Sequence, residues 1–200
     1  MTSLPKTVRE QVTDLIRGDV LAGTFPSGEP LREVEIAQKF GVSRGPVRDA
    51  FLQLTQEGFL AYQANRGVTV RHPPDSSSRD LIVSLRRQIE FFVVRRGVKK
   101  LTEQQLGEIE QKLDALNLAC QAEDVSQIAQ CDIAFHQCIL EACGGEEFLP
   151  IWKWLCSQML LTYSILEDFS HIHQEHAAIM DALRRRSKQD CQAAIKSNIR

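Results

Sequence analysis

Three side chains in the second half of the chain have the types and spacing of metal ligands. Asp132 and His136 are four residues apart, so on a helix both side chains leave the same face. His176 lies on a later apolar stripe that includes Ile179 and Leu183. Because an ionisable group in an apolar interior is costly unless it is paired, the pattern indicates one of two arrangements. Either an aspartate and two imidazoles hold a divalent cation, or an Asp–His hydrogen bond forms and the other histidines are exposed.

A second group of residues, near the N-terminus, has the layout of a DNA-reading helix. Gly41 can adopt the positive φ that ends a short helix, Ser43 is a favourable N-cap for the next one, and Pro46 is tolerated in its first turn. The second helix leaves Arg44 and Arg48 outward. Two helices joined through a glycine turn indicate a helix-turn-helix, whose second helix reaches base edges in the major groove. The same shape also occurs in purely structural bundles, where the arginines would form a solvated face.

A hairpin is predicted directly after this helix. Residues 58–62 indicate a turn and a strand, Asn65-Arg66-Gly67 a second turn, and Val68-Thr69-Val70 the returning strand. A hairpin in this position is typical of a wing, with Arg66 at its tip aimed at an adjacent minor groove.

Helical periodicity accounts for the rest of the chain. Residues 5–23, beginning with Pro5, predict a first helix, and six more are predicted after residue 78, the fourth of them running from Phe148 to about Glu167. Two prolines and three serines predict a linker over residues 73–78. The predicted fold is mainly α. It consists of a winged helix-turn-helix with a small β-hairpin over residues 1–72 and an all-α bundle over residues 79–200.

Composition limits the classes of function. A hydrophobic content of 43% is ample for a buried core, and a formal net charge of −2 excludes nucleic-acid binding by gross charge, so any DNA contact must be local. No stretch has the layout of a signal peptide or approaches the roughly 20 apolar residues that span a bilayer, which predicts a cytoplasmic protein with no membrane partner. The six cysteines lack C-x-x-C spacing, which favours reduced thiols over a zinc site and leaves redox sensing as an alternative.

The motifs of the first third carry a resemblance to a known family. The segments at residues 24–31 and 43–50, with Leu54, Gly58 and residues 65–68, look like the GntR family of bacterial transcriptional regulators. The resemblance implies that the reading helix and the wing contact DNA through Ser43, Arg44, Pro46, Val47, Arg48, Arg66 and Gly67. Some branches carry a basic residue near position 34, where this chain has Val34, so either the set of DNA contacts is smaller or Arg32 takes part in its place.

The second domain has a resemblance of its own. The runs at residues 85–90, 132–136 and 176–183 are similar to the FCD effector domain of the FadR branch of GntR regulators, and the similarity covers nearly all of residues 79–200. This implies six or seven helices around a pocket that often holds a divalent metal.

The ligand positions of that family transfer to this chain with one change. Asp132, His136 and His176 fall on three of them, and the fourth, usually a histidine, falls on Asn198. An amide oxygen is a weaker and harder ligand than imidazole, so Zn or Ni should bind less tightly and Mn or Mg becomes more favourable. Partial occupancy and a metal-free pocket stay open as alternatives.

Together these features predict a two-part switch. Arg86 is the candidate that holds a small organic acid effector through two parallel hydrogen bonds, although pairing at the surface with Glu90 is an alternative. A homodimer would bind a palindromic double-stranded DNA operator, and effector binding would change its affinity. Two other functions stay open: a constitutive DNA binder with a purely dimerising bundle, and a metal-dependent hydrolase, which lacks a recognisable general base.

Overall fold

Capping signals set the ends of the N-terminal helices. The computed structural model describes residues 6–64, 66–161 and 170–200, so Pro5, the predicted start of the first helix, lies outside the described residues. The first three helices are α1 (Val8–Leu21), α2 (Glu33–Phe40) and α3 (Arg44–Glu57). Thr7 and Glu10 form a reciprocal capping box at the start of α1. Gly41 and Gly58 end α2 and α3 with φ values of 66° and 91°, which favour glycine.

A small antiparallel sheet packs beside these helices. It consists of β1 (Pro30–Leu31), β2 (Leu60–Gln63) and β3 (Gly67–Val70), in the order β1-β3-β2. The hairpin of β2 and β3 confirms the predicted wing strands, whereas Asn65 of the predicted turn lies outside the described residues. The sequence analysis did not predict β1, because two residues are too few to show an alternating pattern.

The second half of the described chain is helical, apart from short connections. Its α-helices are α4 (Ser76–Gly97), α5 (Glu103–Gln121), α6 (Val125–Ala142), α7 (Leu149–Leu160), α8 (Ser170–Arg184) and α9 (Lys188–Asn198). The prediction that α4 begins at residue 79 was wrong by three residues. Asp75 accepts a hydrogen bond from the Ser78 amide at 2.8 Å, so the three serines form the first turn of α4 instead of a linker. The predicted extension of α7 to Glu167 falls outside the described residues.

Among the described residues, the two largest hydrophobic cores belong to the two domains, and they meet at a contact that we call the seam. The core of the bundle draws on α4 to α9 and contains Trp152 and Phe135, both fully buried. The core of the head, by which we mean α1 to α3 with the sheet, also includes Ala129 of α6 and Leu160 of α7. The head therefore packs directly against the bundle through α6 and α7.

Two predictions about composition can be compared with the structure. All six cysteines are free thiols, and burial raises the pKa of Cys143 to about 12 and that of Cys191 to about 11, so these two thiols are poor nucleophiles. Within the described ranges, every helix is too short or too polar to cross a membrane.

Candidate metal centre and nucleic-acid interface

Three helices bring the predicted metal ligands together inside the bundle. Asp132 and His136 lie on α6, His176 on α8 and Asn198 at the end of α9. One ligand atom from each of Asp132, His136 and His176 lies within 4.8 Å of the others, and all three residues are buried. The helical spacing thus has the predicted consequence: the aspartate and both imidazoles share one interior cluster.

The two shortest contacts of His176 indicate a role for each of its nitrogens. Nδ1 lies 2.7 Å from the carbonyl oxygen of Ile172, to which it donates its proton. Nε2 is then the nitrogen with a free lone pair, and it lies 2.8 Å from Oδ1 of Asp132. Two acceptor atoms this close require a shared proton or a cation between them.

His136 repeats the arrangement with different partners. Its Nδ1 lies 2.8 Å from Oε2 of Glu90, and its Nε2 lies 3.0 Å from Oδ1 of Asn198. A histidine that donates one ring N–H to a carboxylate is oriented for metal binding through the other nitrogen. Asn198 therefore occupies the place in space where the resemblance expects the fourth ligand.

The donor set fits a divalent cation. It offers two imidazole nitrogens, from His136 and His176, and two oxygens, from Asp132 and Asn198. Separations of 2.8 and 3.0 Å between the paired nitrogen and oxygen atoms suit neighbouring ligands that each lie roughly 2.0–2.2 Å from one ion. Imidazole suits Zn or Ni, and carboxylate and amide oxygens suit Mn, so the mixed set does not select a single metal.

Glu90 is the part of this site that the sequence analysis missed. It accepts hydrogen bonds from Arg86 Nε at 3.0 Å, Trp152 Nε1 at 2.8 Å and His136 Nδ1 at 2.8 Å. Burial acts to raise the pKa of Glu90, but His136 and Arg86 more than offset it and hold the pKa at about 2. A signal existed: Glu90 lies on the buried stripe of α4 that also includes Val83.

Arg86 is buried beside the cluster and is not fully satisfied. Its pairing with Glu90 takes place in the interior, since the Arg86 side chain is only 6% exposed. Its Nη2 lies 3.8 Å from Oδ2 of Asp132 and has no hydrogen-bond partner among the described residues. The guanidinium also lies 5.6 Å from the centre of the Trp152 ring. A buried donor without a partner is costly, so Nη2 is available to a ligand.

The reading helix presents two arginines that share one carboxylate. Ser43 is the N-cap of α3, but its side chain makes no capping hydrogen bond. Arg44 and Arg48 follow it with side chains that are each 61% exposed. Arg44 Nη2 lies 2.9 Å from Oε2 of Glu33, and Arg48 Nε lies 3.0 Å from Oε1. Hydrogen bonds from Arg48 and Arg44 lower the pKa of Glu33 to about 2, so it stays ionised at neutral pH.

The other predicted DNA contacts differ in exposure. The expectation that Val47 contacts DNA was wrong, because its side chain is fully buried. It packs in the head core on the inner face of α3. Pro46 is half-buried, and Arg32 is 76% exposed, with Glu35 at 3.6 Å. At the wing, Arg66 is exposed and Gly67 has a φ of 77°.

Family comparisons match both halves of the chain. A family model described as "Bacterial regulatory proteins, gntR family" matches residues 8–70, and the FCD domain model matches residues 81–200. The chain belongs to the GntR family and carries an FCD domain. Both resemblances drawn from the sequence are thereby confirmed.

Individual GntR relatives span the chain to different extents. HTH-type transcriptional repressor RspR of Escherichia coli K12 is 31% identical over 134 residues, which are 67% of this chain and 58% of that protein. The match thus spans a little over half the length of this relative. A probable D-xylose utilization operon transcriptional repressor of Paenarthrobacter nicotinovorans is 27% identical over 182 residues, covering 88% of this chain and 79% of that protein.

A solved structure supports the GntR fold. Escherichia coli McbR/YncC has a TM-score of 0.78 at 21% identity, over 98% of this chain and 94% of that chain. At this identity the likeness concerns the fold alone, and it confirms the predicted winged helix-turn-helix followed by an all-helical domain.

Proposed function

We propose that this chain is a ligand-responsive transcriptional repressor. Its head binds a double-stranded DNA operator, and its bundle binds a divalent metal together with a small organic acid that alters DNA affinity. RspR and the Paenarthrobacter relative are both named as transcriptional repressors, and the family match extends over both domains. The chain would act as a homodimer on a palindromic site.

The observation that carries the sensing half is the pattern of hydrogen bonds at the two histidines. His136 donates one ring N–H to Glu90, and its other nitrogen faces an oxygen of Asn198. His176 donates one ring N–H to the Ile172 carbonyl, and its other nitrogen faces an oxygen of Asp132. A bundle that only dimerised would gain nothing from burying Glu90, Asp132, His136 and His176 in this way, because their desolvation costs free energy. When bound, the cation would supply positive charge and open coordination positions for an effector carboxylate.

Arg86 supports the assignment of a carboxylate as the effector. Its unpartnered Nη2 is buried, is carried on a guanidinium anchored by Glu90, and lies 3.8 Å from Asp132. A carboxylate would satisfy this donor with a charge-assisted hydrogen bond. We therefore place the acid group of the effector between Arg86 and the metal.

The hydrolase alternative is not favoured by the chemistry of the site. Glu90 has three donors and a pKa of about 2, whereas a general base works best with a pKa near the operating pH. Burial acts to raise the pKa of Asp132, but the neighbouring imidazoles of His176 and His136 keep it below its ordinary value. Both buried carboxylates are thus weak bases suited to holding other groups in place.

The metal site is tested by measuring metal content. Full-length protein dialysed against Zn²⁺, Ni²⁺ or Mn²⁺ should retain about one metal per chain, and the double variant with Asp132→Ala and His136→Ala should retain none. The wild-type midpoint of thermal unfolding should rise with metal, because a ligand bound only by the folded state stabilises it. His173→Ala, on the same helix as His176, is the matched control. Equal metal content in the double variant and the wild type would place the site elsewhere.

The DNA half is tested with an operator selected from random duplexes by the wild-type protein. The affinity of the protein for this operator should change when metal and small carboxylates are added together. A constitutive binder would show the same affinity under all these conditions.

A further inference from the structure

Helix α7 contacts both the candidate metal centre and the end of the reading helix. Trp152, Cys156 and Met159 face the bundle core. Trp152 Nε1 donates to Glu90 Oε1 at 2.8 Å, and Met159 Sδ lies 3.8 Å from Arg86 Nη1. The side of α7 that faces the candidate metal centre therefore contacts Glu90, which orients His136, and Arg86, the candidate effector-binding residue.

The other side of α7 holds the C-terminal end of α3. Gln158 Nε2 donates to the carbonyl oxygen of Gly58 at 2.9 Å, and the Ser157 hydroxyl bonds the carbonyl oxygen of Glu57. Both side chains are almost completely buried. The last carbonyls of a helix lack partners within the helix, so α7 supplies the hydrogen bonds that complete the end of α3.

The backbone of α3 approaches α7 closely at this point. Gly58 has a φ of 91°, and a Cβ placed on it would lie 2.6 Å from Gln158 Nε2 and 2.9 Å from Ser157 Oγ. Close by, the seam opens into a cleft of about 340 Å³ lined by Arg17 and Phe59 of the head and Ile133 of the bundle. The head is thus held to the bundle at the end of α3, next to this open cleft.

We propose that α7 relays occupancy of the metal centre to the reading helix, with Ser157 and Gln158 as positioning residues. Binding at the centre fixes His136 and Glu90, Glu90 fixes Trp152, and the rigid α7 then sets the position of Gly58 and with it the direction of α3. This inference rests on the proposed function, because it needs a ligand at the centre. It adds the path by which that ligand acts on DNA binding.

Hydrogen exchange with the metal alone tests the relay without a known operator. The amides of Gly58 and Phe59 both bond the carbonyl oxygen of Leu54, so they report on the end of α3. Saturating Zn²⁺ or Mn²⁺, whichever binds in dialysis, should slow exchange in peptides that cover residues 54–61 by about fivefold or more. The double variant with Ser157→Ala and Gln158→Ala should bind metal as the wild type does but show no such slowing.

Two further variants separate the relay from a general effect on stability. Gln130→Ala removes a glutamine at the same seam that bonds Ser126 within α6, and it should keep the wild-type response. Trp152→Phe cuts the other end of the relay and should lose the response at saturating metal, which keeps the test valid if the double variant does not fold.

The outcomes distinguish the two proposals. Absence of metal binding by the wild type would overturn the metal centre and the relay together. Metal binding without slowed exchange at residues 54–61 would overturn the relay alone, as would a wild-type response in the double variant or in Trp152→Phe.

Discussion

Asn198 is the residue at which the candidate centre departs from the usual pattern of its family. Its Oδ1 lies 3.0 Å from His136 Nε2, so the amide lies where an imidazole is expected. The change exchanges a nitrogen donor for a harder oxygen donor and leaves the rest of the cluster in place. If the proposed metal centre holds an ion, we expect the identity of this one side chain to influence which metals it prefers.

Replacing Asn198 by histidine should strengthen the binding of Zn²⁺ and Ni²⁺. We expect tightening by roughly the 10- to 100-fold that altered groups around metal sites produce, with little gain for Mn²⁺. Competition with a chelator of known affinity measures the change. Gln192→His, on the same helix, is the control. If Asn198→His did not alter the preference between Zn²⁺ and Mn²⁺, Asn198 would not be a ligand.

Glu33 has a corresponding role at the reading helix. Its carboxylate contacts Arg44 and Arg48 together and so fixes the separation of the two guanidinium groups. Arginine reads guanine through two parallel hydrogen bonds, and this geometry depends on orientation. In the proposed complex, Glu33 would add negative charge near the DNA, but we expect it to improve discrimination between DNA sequences.

Glu33→Gln should lower sequence discrimination without lowering affinity for random DNA. We expect a loss of about 1–3 kcal/mol in the preference for the selected operator, the range for a bidentate arginine–base contact. Asp80→Asn makes the same change of charge at an exposed side chain on the bundle and should keep that preference. Equal behaviour of the two variants would reduce the role of Glu33 to charge alone.

At the scale of elements, close packing of helix ends positions the residues of the candidate metal centre. Gly97 ends α4 against Cys143, the C-cap of α6, and a Cβ on Gly97 would lie 2.5 Å from the Cys143 carbonyl oxygen. This crossing sets α4 against α6 and thereby Glu90 against His136. The distance between Glu90 and His136 therefore depends on Gly97, at the end of α4.

Gly97→Ala should therefore destabilise the bundle. Backbone atoms must move to admit the methyl group, for which we expect a loss of about 1–3 kcal/mol in the free energy of unfolding, measured in urea. Gly107→Ala, in the middle of α5 with open space around it, should instead stabilise by about 0.5–1 kcal/mol. If the Gly97→Ala variant were as stable as the wild type, the ends of α4 and α6 could move apart without a measurable loss of stability.

For the whole molecule, the outer face of α4 is the surface that we expect to form the interface of the proposed homodimer. Leu81, Leu85 and Phe92 lie on one stripe of this helix and are 61%, 44% and 42% exposed. An apolar stripe on a helix is costly in water, and a two-fold dimer would bury the same stripe from both copies. A dimer would also bring two heads to one palindromic site.

Leu81→Glu combined with Leu85→Glu should convert the dimer to a monomer in analytical ultracentrifugation. Like charges facing each other across a two-fold axis repel, so the dissociation constant should rise by about 100-fold or more. Leu118→Glu, at a leucine that is 65% exposed on α5, is the control and should stay dimeric. A dimeric double variant would show that α4 is not the interface.

The sequence by itself determined the local features of this protein. Gly41, Ser43 and Pro46 predicted the helix-turn-helix, and the spacing of Asp132 and His136 predicted one shared face. Each of these signals depends on neighbours within a few residues, through capping, turn geometry or helical period. The boundary of α4 was missed because Asp75, rather than the following serines, decides where that helix begins.

Tertiary structure alone decided which distant residues meet. Glu90 joins His136 and Trp152 across 46 and 62 residues of chain, and Gln158 meets Gly58 across 100. Val47 is buried although it lies between two exposed arginines, because the head core covers that side of α3. Such contacts depend on how helices pack against one another, and helical periodicity gives the face of each helix without naming its partner.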